Sequence, residues 1–76
     1  MLNRIREEKE KDYNYIVRNI EGAQNIDHIA TINNMINLFN IKWEVGKSNK
    51  DIIETIELRG LLKYKEKNLD LQNVII

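Results

Sequence analysis

The sequence predicts a small all-α domain, a bundle of three main helices over about residues 3–21, 26–45 and 49–67 followed by an apolar C-terminal segment. Three observations lead there. Ile29, Ile32, Ile36, Phe39 and Trp43 recur at spacings of three and four, which places them along one side of a helix. Glycines at 22 and 46 fall where helices would stop, and proline is absent altogether. Asn25 and Ser48 stand just after those stops, as residues whose side chains cap a new helix.

The first helix changes character along its length. Arg4, Arg6, Glu7, Glu8, Lys9, Glu10, Lys11 and Asp12 read as a solvated, ion-paired segment, with Glu7–Lys11 and Arg4–Glu8 at the i,i+4 spacing. Tyr13, Ile16, Val17 and Ile20 then supply a face to be packed, and Gly22 is placed to close the helix in the left-handed conformation. Asn25 caps the second helix, with Asp27 in its first turn where the helix dipole favours negative charge. Met35 and Leu38 widen its apolar side.

Gly46-Lys47-Ser48 makes a minimal connection, and Ser48 followed by Asp51 resembles a capping box with aspartate in place of glutamate. In the third helix Ile52, Ile53 and Ile56 share one arc, whereas Leu58, Leu61 and Leu62 fall on the other side of Gly60. Such a helix either bends at the glycine or is covered on both sides, and cover on both sides calls for a partner chain. Beyond Asn68 the chain ends on Val74, Ile75 and Ile76, an apolar terminus better explained by docking than by freedom. The competing reading is α+β, with short strands at 41–45, 55–59 and 69–75, prompted by the strict alternation of Ile41-Lys42-Trp43-Glu44-Val45.

Size and composition narrow the function. The chain is 76 residues, room for one domain spanning 1–76, and a chain of this size buries only about 60–65% of the surface that its unfolded form exposes. With no cysteine and one histidine it has neither a disulfide nor a metal to brace so small a core, which leaves self-association as the route to extra stability. Isoleucine, asparagine and lysine make up 32 of the 76 residues, the bias of codons drawn from an AT-rich genome such as that of a low-GC bacterium or its phage. No run of ten apolar residues occurs, so neither a membrane span nor a secretory core is predicted, and the expected location is the cytoplasm.

Chemistry-bearing residues are sparse. Nucleophilic catalysis needs a base beside the nucleophile, and the lone His28 sits in the first turn of the second helix without such a neighbour in sequence. Glu54 and Glu57 read as a solvated acidic edge beside Asp51, no glycine-rich phosphate loop exists, and no ligand spacing suits zinc or iron. Neither an enzyme nor a bound cofactor or metal is expected.

Twelve basic residues balance twelve acidic ones, which removes a net-charge argument for nucleic acid. A DNA-associated regulator is therefore the alternative reading, resting on Arg4, Lys11 and Arg18 at spacings of seven, or on Lys63, Lys65 and Lys67 around Tyr64. Asp51, Glu54 and Glu57 oppose it, since they would face phosphates at the start of a recognition helix. The leading expectation is a non-catalytic protein-interaction module, a homodimer that regulates or inhibits by occupying a partner protein's surface. A structural subunit of a larger assembly is a further alternative. Phe39, Trp43, Leu58, Leu61, Leu62, Val74, Ile75 and Ile76 are the candidate interface residues, because large apolar side chains dominate interface energetics. Asn33, Asn37 and Asn40 form a polar line beside the apolar one, and codon bias toward solvent-facing asparagine is the favoured explanation over a role in fixing register.

Overall fold

The computed structural model describes residues 2–44 and 50–74, with side chains described over 5–44 and 50–69. Three helices account for nearly all of it: α1 (Leu2–Glu21), α2 (Ile26–Trp43) and α3 (Ile53–Val74), each packed against both others. The all-α prediction holds, and the described residues contain no strand. Residues 41–43, 55–59 and 69–74, read alternatively as strands, are helical, because the three-and-four spacing of their buried neighbours outweighs a short alternation. Val45, Gly46, Lys47 and the expected Ser48 cap lie outside the described residues.

The core is a single line from each helix. Ile16 and Ile20 come from α1, Ile29, Ile32, Ile36 and Phe39 from α2, and Leu58, Leu62 and Leu69 from α3, with Ala23 of the α1–α2 connection beneath them. The bundle measures 51 × 23 × 16 Å. The buried side chains form a single cluster to which all three helices contribute.

Both ends of the α1–α2 connection are tied by named bonds. The Gly22 amide donates to the Arg18 carbonyl at 3.0 Å, and the Ala23 amide to that of Ile20 at 3.2 Å, so the last turn tightens rather than ending in a left-handed residue. Gly22 has no left-handed φ, contrary to the sequence reading, and a β-carbon there would meet only the Arg18 carbonyl oxygen at 3.5 Å. Gly22→Ala is therefore expected to raise stability by about 0.4–1 kcal/mol through a less flexible unfolded chain, read as a higher thermal midpoint. A fall in the midpoint would restore the left-handed cap.

Asn25 caps α2 as predicted, its Oδ1 accepting the His28 amide at 2.9 Å. His28 answers through Nδ1, which accepts the Gln24 amide at 3.2 Å, one residue before the N-cap amide that a capping-box glutamate would take. The lone histidine is thereby given a local structural task.

α3 departs from its predicted span at both ends. It starts at Ile53 rather than 49, and it continues without a break past Gly60 to Val74, so the expected apolar tail is helix at least that far. Nothing between Leu69 and Val74 stops a helix, and Leu69, seven residues after Leu62, returns to the buried side. Ile75 and Ile76 lie outside the described residues.

Candidate interaction surface

Interhelical polar contacts set the relative placement of the helices, and each joins residues far apart in the sequence. On the α1–α2 seam the Asp12 carboxylate accepts from Lys42 Nζ at 2.9 Å and from Trp43 Nε1 at 3.0 Å on the same oxygen, while the Lys42 ammonium lies 4.9 Å from the centre of the Trp43 ring. Between α1 and α3, Lys9 pairs with Glu54, Tyr13 donates to Glu57 at 3.0 Å, and Lys65 donates to the Glu21 carbonyl at 3.1 Å. That last bond satisfies one of the carbonyls left open at the end of α1. The expected Glu7–Lys11 pair is not among the ion pairs of the described residues, and both side chains are exposed.

The α2–α3 seam is organised by asparagine. Asn40, nearly buried, donates from Nδ2 to the Lys50 carbonyl at 3.2 Å and accepts at Oδ1 from the Ile52 amide at 3.0 Å and from the fully buried Thr55 hydroxyl at 2.8 Å. Asn37 accepts from Arg59, whose guanidinium also pairs with Asp51 at 2.6 Å. Of the three asparagines assigned to solvent by composition, only Asn33 is simply exposed.

Charge placement gives the fold an acid limit. Hydrogen bonding to Lys42 is the largest influence on Asp12 and holds its carboxyl below the ordinary value of 3.8, and Lys9 holds Glu54 below 4.5 in the same way. A carboxyl with a depressed folded pKa stabilises fully above its unfolded value, and that contribution disappears as pH falls through the folded value. Thermal midpoints should thus drop as pH falls below about 4.5 and keep falling past 3.8. Asp12→Asn should flatten part of that acid slope, and an unchanged slope would remove Asp12 from the account. At the other extreme, burial and then the bond to Glu57 raise the Tyr13 phenol above 10.0, so its contribution is present below that value and is lost as pH climbs through the raised one.

The residues nominated from sequence divide sharply. Phe39, Leu58 and Leu62 are buried in the chain's own core, Trp43 is half-buried over Asp12, and Leu61 is exposed. Val74 closes α3 with its side chain outside the described set. On the alternative nucleic-acid list, Lys11, Arg18, Lys63, Tyr64 and Lys67 are exposed, Lys65 is drawn in to the end of α1, and Arg4 is placed only by its backbone.

Sequence reading missed the larger apolar exposures. On α2, Leu38 keeps 66% and Ile41 73% of its surface in water. A groove of about 220 Å³ beside Leu38, walled by Tyr15, Met35 and Phe39 with Asp12 and Lys42 at its rim, separates α1 from α2. On α3, Ile53 is 72% exposed, Ile56 58% and Tyr64 69%. Ile53, Ile56, Gly60 and Tyr64 follow one another at spacings of three, four and four, a stripe on the side of α3 opposite Thr55, Leu58, Leu62 and Leu69. The signal was present as the two-sided apolar pattern around Gly60. Among the described residues, only one of the two sides is covered.

Among the described residues no three His, Asp or Glu side chains are placed to hold a metal ion, and no helix is long and apolar enough to cross a membrane. Architecture thus defines the class as a three-helix bundle. Compared with known proteins, the chain matches no family model, no curated protein and no solved structure.

Proposed function

We propose that this chain is a non-catalytic protein-interaction module, a cytoplasmic homodimer that regulates or inhibits a partner protein by occupying its surface. One observation carries the reading: the helices close a core of their own, and large apolar side chains on α2 and α3 still face water. Leaving such groups exposed forgoes roughly 1.5–3 kcal/mol for each one that could be buried, a sizeable fraction of the stability of so small a domain. Large apolar side chains grouped on one helix face in this way suit an interaction site.

Leu38, Ile41 and the neighbouring α1–α2 groove suit a partner protein. The groove offers an apolar floor, and at its rim Lys42 and Asp12 supply one charge of each sign, the pattern of an interface with an apolar centre and a polar edge. The double variant Leu38→Glu/Ile41→Glu changes two exposed positions and should keep wild-type ellipticity. Used as bait in a low-GC bacterial lysate, the wild type is expected to retain a protein that the variant does not. Retention of the same proteins by both baits would overturn the assignment of this surface. Titration with duplex DNA separates the alternative, because binding through these lysines and arginines would weaken steeply with salt, whereas apolar association would not.

A further inference from the structure

The outer stripe of α3 has features beyond its exposure. Its central residue, Gly60, has nothing within 4 Å of where a β-carbon would stand, so the helix does not need glycine there for its own packing. A glycine inside a helix costs roughly 0.5–1 kcal/mol relative to alanine. It also removes the side chain that would keep a second backbone at a distance.

Charge on α3 is arranged about the same residue. On the N-terminal side of Gly60, Asp51 and Glu54 are taken up by Arg59 and Lys9, which leaves the exposed Glu57 beside the stripe. On the C-terminal side Lys65 is turned to the Glu21 carbonyl, which leaves the exposed Lys63 and Lys67. The exposed Glu57 precedes Gly60 by three residues and the exposed Lys63 follows it by three. Two copies of α3 crossing antiparallel at Gly60 bring the acidic side of that glycine in each copy alongside the basic side in the other. A parallel pairing would set like charge beside like.

We propose that the homodimer forms through this stripe: Ile53, Ile56 and Tyr64 of two copies pack across a two-fold axis at Gly60, antiparallel, leaving the Leu38 and Ile41 face of α2 for the partner protein. The inference rests on the homodimer reading above and assigns it a face. An isologous contact of this kind needs a surface complementary to itself, which the reversal of charge about Gly60 provides.

Gly60→Leu tests it, because leucine is a good helix former at an open position and obstructs only a neighbour at the crossing. Mass by light scattering across a dilution series, with ellipticity of the same samples, is expected to show a wild-type dimer. Gly60→Leu should be equally helical, with a dissociation constant raised by on the order of a hundredfold. A wild-type dimer that Gly60→Leu leaves intact would overturn the α3 face while leaving self-association standing. A helical wild type that stays monomeric at every concentration would instead remove the homodimer reading itself. Charge provides an independent check: Lys63→Glu should weaken the dimer at low salt and do so less as salt rises, whereas in a parallel pairing it would relieve repulsion and strengthen it. A dimer that Lys63→Glu strengthens or leaves unchanged at low salt would overturn the antiparallel arrangement.

Discussion

Asn40→Leu is expected to destabilise the fold by about 2–4 kcal/mol, although leucine is larger in apolar surface and a better helix former. The cost comes from what the asparagine leaves behind. Its Oδ1 is the acceptor for the buried Thr55 hydroxyl and for the Ile52 amide, and its Nδ2 is the donor to the Lys50 carbonyl. Removing one partner of a buried hydrogen bond strands the other, at about 1–3 kcal/mol for a well-buried group and less where water can reach it. Thr55 is fully buried and bears the larger share, while the Lys50 and Ile52 groups are nearer solvent. Against a total stability of roughly 4–11 kcal/mol for a chain of this length, the loss should be plain as a lower urea midpoint. Asn40→Asp keeps the acceptor and loses the donor, so it should fall between wild type and leucine near neutral pH. If leucine is tolerated without loss, Asn40 does not organise the α2–α3 connection.

Asn40 also shows where sequence reading fails for a physical reason. Composition explained it as one asparagine among many, since its hydrogen bonds go to residues 50, 52 and 55, brought near only by the reversal of the chain. The same holds for Asp12 with Trp43, and for Lys65 with the end of α1. Features that live within one helix were legible. The line Ile29, Ile32, Ile36 and Phe39 is buried as its spacing required, and the Asn25 cap forms. Gly22 was misjudged because a glycine after a helix permits a left-handed residue without requiring one. The extent of α3 was misjudged because the loose alternation of 69–75 drew attention away from Leu62 and Leu69, which lie two helical turns apart on one side.

Leu58→Ala should cost about 2–5 kcal/mol, and Leu61→Ala no more than about 0.5 kcal/mol, although the two stand three residues apart and were equal candidates for a partner surface. Leu58 is fully buried in a core to which all three helices contribute, so shortening it removes apolar contact and leaves a cavity. Leu61 remains 42% exposed, and its loss can be made good by water. Urea midpoints at one fixed protein concentration compare them, because any self-association makes apparent stability depend on concentration. Equal midpoints for the two variants would mean that Leu58 is not core and that the register of α3 is wrong. The expected separation bears on function through elimination of alternatives for α3. Thr55, Leu58, Leu62 and Leu69 occupy one side of that helix with intramolecular packing, while Ile53, Ile56 and Tyr64 occupy the other with none from this chain comparable to it. A helix that needed only the first side would be cheaper to keep soluble with lysine or glutamate on the second. The apolar residues on the second side of α3, like Leu38 and Ile41 on α2, are therefore ones that this chain's own core does not use.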